Sequence, residues 1–182
     1  MRKLMRQRYV LAGIFAVVLF IIILGVILAS ASGKPRDYED KVKTSVKALY
    51  SESKMEKALK DVIDIKGAVA WQEANHNAKD FNKEYKKVKS SDDDVDEMKE
   101  ALMEYAVDNE RYYGSNYSKN EVTLKKIKAP KKSKENGKIY TVDAEWDGTN
   151  LTFVFYKGKI IDIQETDDNE SYFEYFLELY NL

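Results

Sequence analysis

A long uncharged run near the N-terminus constrains this chain more than any other feature. From Tyr9 to Ala29 the sequence has no charged residue, and "VLAGIFAVVLFIIILGVILA" is apolar almost throughout. About 20 residues at a rise of ~1.5 Å each make a helix of ~30 Å, which matches the hydrocarbon thickness of a bilayer. We therefore expect a transmembrane anchor over residues 9–31, with the lipid bilayer as its partner.

A cleavable signal peptide is the alternative interpretation of the same run. The tripeptide Ala29-Ser30-Ala31 fits the small-x-small pattern of a cleavage site. The apolar region of a signal peptide is usually shorter, about 7–15 residues, so the length favours the anchor. Both interpretations place the rest of the chain on the far side of the membrane.

The charges around the run predict its orientation. Residues 1–8 form a basic tip and residues 32–36 form a short linker, whereas the flank from Gly33 to Asp40 is mixed in sign. Positively charged flanks stay in the cytoplasm. We therefore expect a single-pass protein of the cell membrane, with a cytoplasmic N-terminus and its C-terminal domain outside. The basic residues of the tip are Arg2, Lys3, Arg6 and Arg8.

Composition excludes several classes of site. The chain has no cysteine, which rules out disulfides, thiolate nucleophiles, cysteine-ligated zinc and iron–sulfur clusters, and lipid attachment to a cysteine. The 30 basic and 31 acidic residues nearly cancel, so no global field favours nucleic acid and no sequence-specific nucleic-acid binding is expected. An exported domain without disulfides, rich in lysine, asparagine and tyrosine, favours a bacterial source.

Residues 37–113 have the periodicity of amphipathic helices. A first apolar stripe has spacings of three and four residues. Ser53 and Glu56 form a capping-box pattern, which predicts the start of a second helix. Gly67 is predicted to mark a bend before a third helix over residues 69–88. The residues of the first stripe are Tyr38, Val42, Val46 and Leu49.

A further helix is predicted between Ser91 and Gly114. The acidic run after Ser91 suits a helix start, because carboxylates face the unpaired amides and the positive end of the helix dipole. Gly114 then suits its end. The acidic residues are Asp92, Asp93 and Asp94.

Residues 120–166 alternate with a period of two, as half-buried strands do. The segments "VTLKKIKAP", "KIYTVDAEW", "NLTFVFY" and "KIIDIQET" are separated by turn residues. These turns favour tight hairpins, where positive φ is needed. A four-stranded antiparallel meander is predicted. The turn residues are Asn136-Gly137, Asp147-Gly148 and Gly158.

The aromatic C-terminal segment, residues 169–181, is helical in period, and Asn169 is a candidate cap. A helix this apolar has to dock on the domain or on a partner. The predicted fold class is therefore α+β. One domain over residues 37–182 has helices packed on the meander and a closing C-terminal helix.

The sequence offers little for catalysis. His76 is the only histidine, and a helix would place it one turn from Asp80. No nucleophile motif of the GxSxG type accompanies them. Asp143 and Glu145 share a strand face about 7 Å apart, but alternating acids are ordinary on a solvent-facing strand. We expect no enzyme activity, no catalytic residue, no cofactor and no metal.

A basic run, "LKKIKAPKKSKENGK", is a candidate contact patch. It could contact phosphate-rich wall polymers, lipid headgroups or DNA. The favoured alternative is that the lysines protect an exposed edge strand from pairing with other sheets. The candidate residues are Lys125, Lys126, Lys128, Lys131, Lys132 and Lys134.

Six aromatic side chains have two interpretations. They either line a small-ligand pocket between sheet and helices or fill the core, and such spacings more often indicate core. These residues are Trp71, Phe81, Tyr105, Trp146, Phe153 and Phe155.

The order of basic tip, single span, helices, antiparallel sheet and closing helix resembles small exported NTF2-like or cystatin-like domains. Among these it is similar to VirB8-like subunits of bacterial conjugation systems. The resemblance concerns the layout of most of the chain and includes no specific motif. It implies a non-enzymatic protein that acts by self-association or by contact with other envelope proteins.

Two functions are therefore expected. The first is a membrane-tethered, non-enzymatic interaction module outside the cell, a subunit of an envelope machine of the conjugation or secretion kind. The alternative is a secreted or tethered NTF2-like domain that binds a small ligand.

Overall fold

The computed structural model describes residues 37–135 and 137–180. The predicted tip, span and linker, the turn residue Asn136 and the last two residues lie outside this part. Within the described residues, no helix is both long enough and apolar enough to cross a membrane.

The described residues form a mixed α+β domain, as the periodicities predicted. Helices pack on an antiparallel sheet, and a C-terminal helix packs on both β5 and α5. The helices are α1 (Asp37–Ala48), α2 (Glu52–Asp61), α3 (Ile65–Glu73), α4 (Ala78–Lys87), α5 (Asp93–Tyr113), the single turn α6 (Tyr117–Asn120) and α7 (Tyr172–Tyr180). The strands are β1 (Leu124–Lys125), β2 (Lys131–Lys132), β3 (Ile139–Trp146), β4 (Thr149–Tyr156) and β5 (Lys159–Glu165).

Two tight turns join the three long strands into a meander. Asp147 and Gly148 have φ of 47° and 86°, and Lys157 and Gly158 have φ of 49° and 81°. Two successive residues with positive φ make the turn whose twist matches antiparallel strands. The predicted hairpins at Asp147-Gly148 and Gly158 are therefore confirmed.

The prediction of the first strand of the meander is wrong in detail. Two short strands replace it, and both pair with β3, Leu124 opposite Trp146 and Lys131 opposite Thr141. Lys126 has φ of 50°, which turns the chain out of the extended conformation. Pro130, just before β2, has no N–H for a ladder. The sheet therefore has five strands, and one edge of it is broken.

Gly67 does not mark a bend; it lies inside α3. A Cβ atom at this position would lie only 2.5 Å from Cγ2 of Ile161. Ile161 is the extra residue of a bulge in β5, because the register passes from Val154–Asp162 to Phe155–Ile160. The glycine is therefore needed for close approach of helix and strand, a tertiary contact that the local sequence does not reveal.

The outer edge of β5 is covered by the loop between α2 and α3. Ile160 donates its N–H to the carbonyl of Val62 and accepts from the N–H of Asp64, both at 2.8 Å. Ile63 and Ile160 form a parallel bridge, and Gln164 bridges Ser171 near the other end of the strand. The two edges of the sheet thus differ. The short strands β1 and β2 form one edge, whereas a loop covers the edge at β5.

Two predicted helix boundaries in the first half are wrong. The second helix begins at Glu52, not after Ser53, and the N–H of Glu52 donates to Oε2 of Glu110 at 2.7 Å. A distant carboxylate from α5 thus takes the place of the predicted capping box. The predicted helix 69–88 is two helices, separated by a turn in which Asn75 and His76 have φ of 48° and 56°.

The acidic start and glycine end of α5 agree with the sequence. Asp92 occupies the N-cap position, its carboxylate accepts the N–H of Lys89 at 2.6 Å, and Gly114 follows the last turn with φ of 86°. The core beneath the helices is rich in phenylalanine. Its largest fully buried side chains include Phe81, Phe153, Phe155, Phe173 and Phe176.

Candidate functional site

A buried carboxylate lies between the sheet and α7. Asp162 of β5 is only 1% exposed. It accepts hydrogen bonds from Ser171 Oγ at 2.7 Å, Gln164 Nε2 at 2.8 Å and the N–H of Ile163 at 2.9 Å. Alternation along "KIIDIQET" had placed Asp162 and Gln164 opposite the apolar residues, and the structure buries that polar face as well.

Ser171 connects this carboxylate to the start of α7. Its hydroxyl donates to Asp162 and accepts the N–H of Glu174 at 3.2 Å, which caps the helix. The predicted cap, Asn169, instead has φ of 63° in the preceding turn. Asp162 therefore holds the helix start in place through Ser171, and a serine two residues later replaces the expected asparagine.

His76 lies near the same helix. His76 has a left-handed backbone conformation in the turn between α3 and α4. It is therefore not one helical turn from Asp80 on the same helix, as was predicted. Its Nε2 is 3.9 Å from Oε2 of Glu174, and its ring stacks on Trp71 at a centroid distance of 6.0 Å. Ser171 donates to Asp162 and not to the imidazole. This geometry differs from that of a nucleophilic serine, whose hydroxyl proton passes to a histidine.

Burial raises the pKa of Asp162 to about 6, against the opposing effects of the Ser171 hydrogen bond, the charge of His76 and the Gln164 hydrogen bond. Desolvation disfavours the charged carboxylate, and this effect outweighs the donors that favour it. Asp162 therefore binds a proton more tightly in the folded chain than in the unfolded one.

We expect the proton on Asp162 to stabilise the fold in mild acid. An unfolded aspartate has a pKa near 3.9, so this stabilisation is complete below about pH 4 and is lost as the pH rises to about 6. The loss amounts to about 3 kcal/mol. Urea unfolding of the full chain in detergent micelles across this pH range measures it. Asp162→Asn cannot titrate here and serves as the reference, so equal pH slopes in both proteins would contradict the assignment.

An open depression of about 520 Å³ lies along α7. We call it the acidic groove. Its lining includes four glutamates and two tyrosines but no lysine or arginine. On the same helix Tyr175 and Leu179, one turn apart, are 51% and 46% exposed. The lining residues are Glu165, Glu170, Ser171, Tyr172, Glu174, Tyr175 and Glu178.

The six candidate lysines are exposed along the β1–β2 edge, which we call the lysine edge. Lys126 pairs with Glu145, and Asp143 pairs with Lys131 and lies 3.6 Å from Lys128. The two acids that alternate on β3 therefore neutralise part of the edge. Six lysines still exceed these two carboxylates and Glu135, which lies near Lys134, so the edge keeps an excess of positive charge.

The positive charge of the lysine edge affects the pKa of Asp143. Burial acts to raise it, but the hydrogen bond and charge of Lys131, with the charge of Lys128, hold the pKa below its usual value. Both carboxylates are thus ion-pair partners of the lysine edge. A glycosidase needs one of its two carboxyl groups protonated as the general acid, whereas the pKa values of both carboxyls are lowered here.

The six aromatic candidates do not gather around one cavity. Trp71, Phe81, Phe153 and Phe155 are buried in the core. Tyr105 stacks on Phe176 at 3.9 Å, and Trp146 packs 5.6 Å from Tyr50. Two surface depressions of the described chain are lined by other residues. These six side chains therefore pack in the core or against it. Core packing was one of the two interpretations of the sequence, and a ligand pocket was the other.

Neither the acidic groove nor the burial of Asp162 was predicted from the sequence. A signal for the groove was present, because Glu174 and Glu178 lie one turn apart beside the exposed pair Tyr175 and Leu179. Asp162 gave no such signal, since an acid alternating with isoleucines normally faces solvent.

Among residues 37–135 and 137–180, no group of three or more histidine, aspartate or glutamate side chains could hold a metal ion. No protein-family model, curated protein or solved structure matches this chain.

Proposed function

We propose that this protein is a membrane-tethered, non-enzymatic interaction module, anchored through residues 9–31 with its domain outside the cell. It acts by positioning and self-association, as a subunit of an envelope assembly. The acidic groove of one copy binds the lysine edge of the next. One observation carries the proposal: a single domain presents two surfaces of opposite charge at opposite edges of the same sheet.

The arrangement of strands separates these two surfaces. The sheet order is β1–β3–β4–β5, with β2 also beside β3. The lysine edge borders β3, whereas the groove begins at Glu165 and Ser171, beyond β5. Three strand spacings of ~4.8 Å separate the edges by about 14 Å. Each copy can therefore offer both surfaces to neighbours at the same time.

Charge favours a head-to-tail contact over a symmetric one. Two lysine edges repel each other, and so do two acidic grooves, whereas a groove facing an edge brings opposite charges together. Apolar groups are present on both sides, Tyr175 and Leu179 in one copy and the half-buried Ile127 in the other. A head-to-tail contact of this kind builds open rows or rings.

Charge reversal on each surface tests the contact. Glu170→Lys with Glu178→Lys reverses the groove, and Lys132→Glu with Lys134→Glu reverses the edge. We expect each double variant to be monomeric at low salt, because one surface then repels its partner. A chain with all four changes regains self-association, since the reversed surfaces again attract. Sedimentation velocity of the full chain in detergent micelles measures assembly size.

Reversal of exposed charges elsewhere is the matched control. Glu56→Lys with Glu100→Lys changes the net charge as the groove variant does, but on α2 and α5. This control should assemble like the unmodified chain. Persistent monomers of the fourfold variant, or normal assembly of either double variant, would refute head-to-tail association.

A further inference from the structure

A third surface combines exposed tyrosines with neighbouring lysines at the end of α5, where α6 leads into β1. We call it the tyrosine–lysine patch. Tyr112 and Tyr113, at the end of α5, are 83% and 47% exposed. Tyr113 packs on Tyr112 at 4.8 Å and on Tyr117 at 4.6 Å. The patch consists of Tyr112, Tyr113, Tyr117, Lys47, Lys54 and Lys119.

The tyrosine rings are held in place from below. Tyr50 is buried and lies 5.4 Å from Tyr113, 5.0 Å from Tyr117 and 5.6 Å from Trp146. Tyr112 is therefore the outermost ring of a continuous aromatic ladder, and not an isolated mobile side chain. Exposed rings on a fixed base can enter an interface with little loss of side-chain entropy.

The lysines of the patch repel one another, although Glu110, Glu121 and Asp147 lie near the patch. Lys54 donates to the hydroxyl of Ser118 at 2.5 Å, and that partner is neutral. Partial burial lowers the pKa of Lys54, the charges of Lys47 and Lys119 lower it further, and only Glu110 opposes them. An anion placed here would relieve the repulsion between these cations.

We propose that the tyrosine–lysine patch docks on the surface of an anionic bilayer. Lysines attract anionic phosphate headgroups, and tyrosine rings favour the boundary between headgroups and hydrocarbon. A soluble phosphate ion would account for the lysines but not for the exposed aromatic ladder. The patch thus contains both of the residue types that a lipid surface selects.

The chain outside the structure supports a lipid partner over a protein one. Only residues 32–36 separate the apolar run from α1. So short a tether gives the domain a high effective concentration at the lipid surface, and weak contacts then suffice. This argument rests on the membrane tether of the proposed function.

Nanodiscs of two compositions test the docking with the full chain. One set contains neutral phosphatidylcholine alone, and the other also contains anionic phosphatidylglycerol. Amide hydrogen exchange over residues 112–119 is the readout. We expect exchange about tenfold slower in the anionic discs, which corresponds to about 1.4 kcal/mol of local stabilisation. Tyr112→Ser with Lys119→Glu, both on exposed side chains, should abolish the difference.

The matched control makes the same charge reversal elsewhere. Lys99→Glu alone, on an exposed side chain of α5 outside the patch and the acidic groove, should retain slow exchange in anionic discs. Incorporation into both discs with equal exchange over residues 112–119 would overturn the docking and leave the tether intact. Failure to enter neutral discs would overturn the tether and the docking together. Equal slowing by inorganic phosphate in neutral discs would assign the patch to a soluble anion and refute the lipid surface.

Discussion

Replacing Asp162 with alanine lowers the free energy of unfolding by about 3–5 kcal/mol. The change removes an acceptor shared by three donors, of which Ser171 and Gln164 are buried side chains. Each buried donor left without an acceptor costs about 1–3 kcal/mol, and the vacated space adds to the loss. Urea denaturation of the full chain in detergent micelles measures the effect.

An exposed aspartate nearby gives the matched control. Asp167→Ala removes the same carboxylate from the turn after β5, and its effect should stay within about 0.5 kcal/mol. A loss below about 1 kcal/mol for Asp162→Ala would show that Ser171 and Gln164 find other acceptors, and that the carboxylate does not hold α7.

Replacing Phe176 with alanine has a comparable effect, about 3–5 kcal/mol. Phe176 is fully buried and stacks on Tyr105 of α5 at 3.9 Å, so truncation leaves a cavity beneath α7. Because α7 provides most of the acidic groove, we expect this variant to lose self-association along with stability. Unfolding and sedimentation measured on the same protein report both losses.

Tyr175→Ser separates the two effects. Tyr175 is the next residue of the same helix, but half of its side chain is exposed. Its replacement should weaken association while changing stability by no more than about 0.5 kcal/mol. If Phe176→Ala unfolds the chain no more easily than Tyr175→Ser, α7 is not a packed element of the domain.

The long strands could be predicted because their signals are local. Alternation over residues 139–165 and the glycines at 148 and 158 depend only on neighbouring residues, and the strands β3 to β5 follow them. The prediction of the first strand was wrong for a reason that is also local. Lys126 adopts positive φ where alternation suggested an extended residue.

The helix errors have tertiary causes. Gly67 faces Ile161, and Glu52 is capped by Glu110, so both positions depend on residues far away in sequence. Periodicity alone predicted one helix in place of α3 and α4. The left-handed turn at Asn75 and His76 that separates them contains neither glycine nor proline, so the sequence contains no signal for it.

The candidate site could be predicted only in part. The lysine edge was visible as a run of charge, but its pairing with Asp143 and Glu145 required the register of β3. Alternation placed Asp162 opposite the isoleucines of β5, but alternation cannot show what covers the second face of a strand. That information is in α7, whose aromatic composition predicted docking but not the location of docking.

The cover on the outer edge of β5 also bears on the order of folding. The tight turns let β3, β4 and β5 pair through contacts between near neighbours in the chain, which form quickly. The pairing of Ile63 with Ile160 joins segments 97 residues apart in the chain, and closing so large a loop is slow. Residues 37–113 leave the ribosome before the strands do, yet Ile63 has no strand to pair with until Ile160 has been synthesised. The helical half therefore stays incompletely packed until β5 has been synthesised, and a chain truncated before β5 would expose the apolar surface that packs on this strand.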